Sequence, residues 1–135
     1  MQRTIVITTI NRKTGAVSKF EQLEGWSLLV IGDRKSQPFN CGNGTRFLSV
    51  EEQLKLDFRY AHTAPFNHYS RKNIGYLLAM SEGSEVIYDT DDDNWPKANW
   101  SMPPATCALM AGQPGRQYAN IYSYFSEKPI WPRGF

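Results

Sequence analysis

Apolar residues occur in short uninterrupted runs, and polar segments with helical spacing lie between them. The runs at residues 3–10, 26–32 and 86–88 are rich in Ile, Val and Leu and do not alternate with polar residues. Such runs are typical of strands buried on both faces of a sheet. We therefore predict a strand at each, and one more at residues 118–125, where Tyr, Ile and Phe recur.

The segments between these runs predict helices. Ser49 and Glu52 form a capping-box pattern, and Ser70 is placed to cap a later helix. Gly25 and Gly83 are placed to end the first and the last of the predicted helices. We predict helices over residues 14–24, about 50–60 and about 70–82.

The order of these elements predicts the fold class. Strands that alternate with helices form an open α/β sheet with mostly parallel strands. Residues 36–46, rich in Gly and Asn, are predicted to be a loop, and frequent prolines predict an irregular segment over residues 95–135. A chain of 135 residues is long enough for one core. We expect a single domain over residues 1–135, with its core in residues 1–94.

Acidic residues crowd the end of the strand predicted at residues 86–88. Asp89, Asp91, Asp92 and Asp93 place four carboxylates within five positions. Their mutual repulsion is relieved by a divalent cation, because hard cations take oxygen ligands. Asp91 and Asp93 are the candidate metal ligands. A solvated acidic turn is the alternative that this cluster alone leaves open.

Polar residues also follow the other two strands. Residues 8–11 follow the first strand, and residues 33–35 follow the second. In open α/β sheets, ligands bind beyond the carboxyl ends of the strands. We therefore expect these two segments to share one rim with residues 89–94.

Arg71 and Lys72 lie in the first turn of the helix predicted from Ser70. Cations are unfavourable there, because a helix N-terminus already carries about half a positive charge. A bound phosphate would reverse that effect. We expect both residues to serve an anionic ligand and to cost stability without it. The alternatives are that both extend into water, or that one pairs with the aspartates.

Composition narrows the function classes. A net charge of +2 gives no argument for nucleic acid, and two cysteines do not form a disulfide framework or zinc site. No apolar run is long enough for a signal peptide or a membrane helix, so we expect a cytoplasmic location without a membrane segment. No Gly-rich phosphate-binding motif is present. A cation-binding turn and a basic helix start fit a metal-bridged diphosphate, such as the donor end of a nucleotide-sugar site.

Several blocks, in order along nearly the whole chain, resemble the STELLO-type (DUF288) glycosyltransferase family. They include Thr8–Asn11, Val30–Lys35, Phe47–Ser49, Arg71–Leu77 and Ile87–Asn94. The resemblance implies a Rossmann-like GT-A fold, in which an Asp-x-Asp motif holds Mn²⁺ or Mg²⁺ against a nucleotide diphosphate. It also implies a nucleotide-diphosphate sugar as donor, with a UDP-sugar favoured.

The resemblance further implies site residues, matched block by block. Asp91 and Asp93 match the metal-binding motif, and Asp33 matches an acidic position near the base or ribose. The loop that cradles the nucleoside matches Thr8, Thr9, Ile10 and Asn11. Arg71 and Lys72 match a basic helix start near the diphosphate. The catalytic base and the acceptor are not implied.

Members of this family continue well beyond the block that resembles the end of this chain. We therefore expect a donor half, truncated at the C-terminus, with an exposed apolar patch near that end where a partner, a second copy or a missing domain docks. Two other functions stay open. One is a catalytically silent nucleotide-diphosphate-binding module that needs a partner, and the other is a nucleotidyltransferase.

Overall fold

Four strands form one sheet in the described part of the chain. They are β1 (Arg3–Thr9), β2 (Ser27–Gly32), β3 (Thr45–Leu48) and β4 (Val86–Asp89). All neighbouring strands are parallel, and their order across the sheet is β3–β2–β1–β4. This sheet confirms the predicted open α/β fold. The computed structural model describes residues 1–42 and 44–104, together with residues 106, 122, 126–128 and 130.

The helices are shorter than the sequence pattern predicts. They are α1 (Gly15–Phe20), α2 (Val50–Leu54), α3 (Arg59–Thr63) and α4 (Lys72–Ser81), with a 3₁₀ turn at Tyr69–Arg71. The capping box of Ser49 and Glu52 is confirmed at the start of α2. The single helix predicted over residues 50–60 is wrong. Phe58 adopts an extended backbone between α2 and α3 and packs its ring against the core, so the helix cannot continue through it.

Two further sequence predictions are corrected. Ser70 does not cap the later helix with its side chain; Nδ1 of His68 accepts from the Ser70 backbone N–H and caps the 3₁₀ turn. The loop predicted over residues 36–46 ends earlier, because Thr45 begins β3. That four-residue strand owes its conformation to pairing with β2 along its length, which a local pattern does not reveal.

Helices cover both faces of the sheet. Ile5 and Ile7 of β1 pack against Val17 and Phe20 of α1 on one face. Val6 points the other way and joins the cluster that includes residues of α4. The apolar runs in β1 and β2 are thus buried on both faces, as predicted.

The chain changes direction at β1. It proceeds outward from β1 to β2 and β3, then returns through α2, α3 and α4 to place β4 on the other side of β1. A crevice forms at such a reversal, beyond the carboxyl ends of the two strands that flank it. In this protein those are the ends of β1 and β4.

The chain divides into two compact units, residues 1–100 and 101–135. In the second unit, the backbone N–H of Ser126 donates to the carbonyl of Tyr122. The strand predicted over residues 118–125 lies outside the described residues except for Tyr122. Among the helices that the structure describes, none combines the length and the apolar character required to cross a bilayer.

Candidate functional site

A cleft of about 380 Å³ lies beyond the carboxyl ends of β1, β2 and β4. The three polar segments expected to share one rim all contribute to its wall. Of the residues singled out from the sequence, the cleft is lined by Thr8, Thr9, Ile10, Asp33, Arg71, Asp91 and Asp93. Asn11 and Lys72 do not line it, although both bond to residues that do.

Asp92 fastens the acidic turn to the loop after β1. Its Oδ2 atom accepts hydrogen bonds from Thr9 Oγ1 and from Asn11 Nδ2, the latter at 3.0 Å. Its backbone carbonyl accepts from Thr14 Oγ1 at 2.6 Å. The residue between the two candidate metal ligands therefore sets the position of the turn, and Asn11 acts through it.

Lys72 lies behind the turn and holds it from the other side. Its ammonium group donates to Asp89 Oδ1 at 2.8 Å, Asp91 Oδ1 at 2.7 Å and the Thr90 carbonyl at 2.9 Å. Burial lowers the pKa of Lys72, but hydrogen bonds to the two carboxylates outweigh burial, so its pKa is raised. The alternative in which one of the two basic residues pairs with the aspartates thus describes Lys72.

The chemistry of the donor set fits a hard divalent cation. The Asp91 carboxylate is about 60% exposed, and Asp93 is exposed at the edge of the same cleft. No three acidic, histidine or cysteine side chains in the described residues are grouped to hold an ion by themselves. Mg²⁺ sites that handle phosphates commonly use one or two carboxylates and take their remaining ligands from phosphate and water. Two carboxylates therefore suffice for a site completed by its substrate.

Asp33 connects β2 to the loop before α4. Its Oδ1 accepts from the Arg34 backbone N–H at 2.7 Å, and its Oδ2 accepts from the His68 N–H at 3.2 Å. The side chain is nearly buried, yet it still forms part of the cleft wall. Asp33 thus shapes the cleft, and its carboxylate oxygens retain further capacity to accept hydrogen bonds.

Arg71 is 1% exposed, which its position at a helix start does not predict. Nε and Nη2 donate to Gln53 Oε1 at 3.0 and 2.6 Å, and Nη1 donates to the Ala64 carbonyl at 3.1 Å. No salt bridge to Arg71 occurs within the described ranges. Burial lowers its pKa, while the charge of Asp33 opposes that shift. The cleft is therefore lined by a buried positive charge without a paired carboxylate.

These contacts change the expected role of Arg71 in stability. The sequence predicted that Arg71 costs stability without a ligand. Its guanidinium also lies against one face of the Phe66 ring at 4.6 Å, and that of Arg34 lies 3.8 Å from the same ring centroid. Arg71 is thus part of the packed structure of the unliganded protein.

The loop before α4 supplies cleft residues that the sequence pattern did not predict. Asn67, His68 and Tyr69 all line the cleft. The Tyr69 ring is stacked on His68 with centroids 4.7 Å apart, and Tyr69 is 79% exposed. Asn67 has a backbone φ of +52°, which fixes a sharp turn here. Two adjacent aromatic rings just before a basic helix start were the available signal.

Comparison with known proteins relates the chain to two plant proteins. No family model matches the chain. Over 98% of its length, however, the chain is 27% identical to an Arabidopsis thaliana protein named probable glycosyltransferase STELLO1 and 25% identical to probable glycosyltransferase STELLO2. This similarity supports a STELLO-type family assignment. The chain spans 19% of the length of each of these two relatives.

Proposed function

We propose that this chain forms the donor-binding part of a metal-dependent glycosyltransferase and binds a nucleotide-diphosphate sugar in the cleft. The observation that carries the proposal is the meeting of Asp91 and Asp93 with the loop after β1 and with Arg71 around one crevice. The names of the STELLO relatives support the same reaction class.

Asp91 and Asp93 are the residues proposed to hold Mn²⁺ or Mg²⁺. When bound, the ion would neutralise the negative charge that develops on the departing diphosphate. The turn that carries both carboxylates is held in place by Asp92 and Lys72 on its two sides. The chain therefore offers a pre-positioned pair of carboxylates rather than a flexible acidic loop.

The remaining cleft residues suit the rest of a nucleotide. Thr8, Thr9 and Ile10 present the end of β1 to the nucleoside, next to Asp33. The exposed Tyr69 ring offers a flat surface on which a base can stack. The buried charge of Arg71 contributes a positive potential for the diphosphate without direct exposure to solvent.

The test is calorimetric binding of UDP to the full chain with and without Mn²⁺, followed by UDP-sugars and other nucleoside diphosphates. We expect Asp91→Asn combined with Asp93→Asn to lower Mn²⁺-dependent UDP affinity by at least about tenfold. The matched control removes two exposed acids outside the cleft, Glu51→Gln with Asp57→Asn. Undiminished Mn²⁺-dependent affinity in the cleft variant would refute the metal site.

Product analysis separates the open alternatives. Release of UDP from a UDP-sugar, with or without an added acceptor, indicates glycosyl transfer or donor hydrolysis. Release of UMP or a sugar phosphate indicates cleavage within the diphosphate, as in nucleotidyl transfer. Metal-dependent binding without either product indicates a silent binding module.

A further inference from the structure

The ammonium group of Lys72 has no hydrogen-bond donor to spare. An ammonium group has three N–H donors, and those of Lys72 are directed at Asp89, Asp91 and the Thr90 carbonyl. The Lys72 side chain is only 11% exposed, whereas the carboxylates of Asp89 and Asp91 are 61% and 60% exposed. Lys72 must therefore break an existing bond before it can contact a diphosphate directly.

The same geometry sets a positive charge against one of the proposed metal ligands. Lys72 Nζ lies 2.7 Å from Asp91 Oδ1, so a divalent ion bound to Asp91 would lie within several ångströms of a like charge. Repulsion between a single and a double positive charge at such a distance is large enough to weaken binding by about tenfold, even near solvent. The position of Lys72 at the start of α4 adds the positive end of the helix dipole.

A diphosphate removes this obstacle, because its negative charges offset the ammonium group and the helix dipole. We propose that Lys72 is a positioning residue that makes metal binding at Asp91 and Asp93 depend on the nucleotide. This inference rests on the proposed function and extends it. The chain alone holds the ion weakly, and nucleotide and ion each raise the affinity of the other by the same factor.

A purely structural role for Lys72 predicts the opposite result. If Lys72 only fastens the acidic turn, its removal loosens Asp91 and weakens metal binding. If Lys72 opposes the ion, its removal strengthens metal binding in the absence of nucleotide. Because Asp89 and Asp91 are largely solvated, neither becomes a buried unpaired charge when Lys72 is replaced.

The experiment measures Mn²⁺ affinity of the full chain by calorimetry, without nucleotide and then with saturating UDP. The variants are Lys72→Met, and Lys72→Gln, which keeps a hydrogen-bond donor without the charge. Lys55→Met is the matched control, since it removes the same charge from an exposed pair with Glu51. We expect Lys72→Met to bind Mn²⁺ alone about three- to tenfold more tightly, with a comparable fall in the enhancement by UDP. Lys55→Met should match the unmodified chain.

Other outcomes overturn the inference. Equal Mn²⁺ affinity in Lys72→Met and Lys55→Met, or weaker affinity in Lys72→Met, contradicts the role of Lys72. Failure of both Lys72 variants to fold, seen by thermal unfolding, assigns Lys72 to stability instead. If UDP enhances Mn²⁺ binding in the unmodified chain but the Lys72 variants behave like the control, only this inference fails. If neither the unmodified chain nor any variant binds Mn²⁺, with or without UDP, both this inference and the proposed function fail.

Discussion

At the scale of single residues, Arg71 combines a structural and an electrostatic role. A buried charge without an acidic partner is tolerated only when its donors are satisfied, because the penalty for an unsatisfied buried charged group is large. Gln53 and the Ala64 carbonyl accept from three of its N–H groups. Gln53 is itself anchored by the carbonyls of Gly32 and Leu48. The guanidinium is thus held by α2 and by the residue that follows α3, and its charge is available to the cleft.

Replacement of Arg71 should therefore destabilise the unliganded protein. In Arg71→Met, Gln53 Oε1 loses both of its donors while it stays buried, and the stacking on Phe66 is lost. We expect the free energy of unfolding to fall by about 2–4 kcal/mol, measured by urea denaturation. The control is Arg34→Met, because Arg34 lies on the same ring but is exposed; its loss should be below about 1 kcal/mol. Equal losses in the two variants would show that Gln53 is satisfied in another way.

Local spacing reveals some site residues and hides others. The acidic turn is visible from the sequence, because four aspartates within five positions at the end of a strand can be recognised without tertiary information. The burial of Arg71 cannot be seen in the sequence, since its partner Gln53 lies 18 residues away. The hydrogen bond from the His68 backbone to Asp33 spans 35 residues. The position of this loop in the cleft therefore became visible only in the folded structure.

At the scale of elements, α4 lies unusually close to the sheet because Gly75 has no side chain. A Cβ atom at this position would lie 2.5 Å from Cγ1 of Val6 and 2.9 Å from Cγ1 of Ile31. Both neighbours are fully buried side chains that have no free space to move into. Arg71 and Lys72 lie at the start of this helix, so the close approach also determines how far they lie from the sheet.

Gly75→Ala tests that packing. Alanine in place of glycine stabilises a helix interior by about 1 kcal/mol, but overpacking a tight core usually costs about 1–3 kcal/mol. Because two immobile side chains stand within contact distance, we expect the second effect to exceed the first and the unfolding midpoint to fall. Gly42→Ala is the control, since the nearest atom to its new Cβ is 3.9 Å away. A Gly75→Ala protein that is more stable than the parent would show that α4 can shift freely.

Elements with a strong local signal were predictable, and those that depend on a neighbour were not. The apolar runs of β1 and β2 predict strands that are buried on both faces, whatever the surrounding sequence. By contrast, β3 has only four residues, and only its first and last residues are buried. The break between α2 and α3 was also invisible, because Phe58 leaves the helical conformation to reach the core.

At the scale of the whole molecule, topology explains why distant segments form one site. The strand order reverses at β1, so the loop after β1 and the turn after β4 face each other although 81 residues separate Asn11 from Asp92. The alternation of strands and helices was enough to predict this rim. The described residues that line the cleft all belong to the first compact unit, residues 1–100.

The last six residues of that unit should matter for its stability. The Trp100 ring lies edge-on to Tyr88 of β4 and to Trp26, with centroids 5.1 and 5.5 Å apart. The Trp95 ring lies against Gly15 at the start of α1, where even a methyl group would meet it at 2.5 Å. A core that ends at residue 94, as the sequence suggested, lacks the Trp95 ring beside α1. It also lacks the Trp100 ring beside β4, the edge strand that carries the acidic turn.

We therefore predict that a fragment of residues 1–100 unfolds cooperatively and binds UDP with Mn²⁺ within about threefold of the full chain, since it retains every described residue that lines the cleft. A fragment of residues 1–94 should be less stable by about 2–4 kcal/mol, because two large aromatic contacts are lost. Urea denaturation and calorimetry on the two fragments and the full chain measure both quantities. Equal stability of the two fragments would place the boundary of the folded unit at residue 94. Loss of UDP binding in the longer fragment would show instead that residues 101–135 contribute to the donor site.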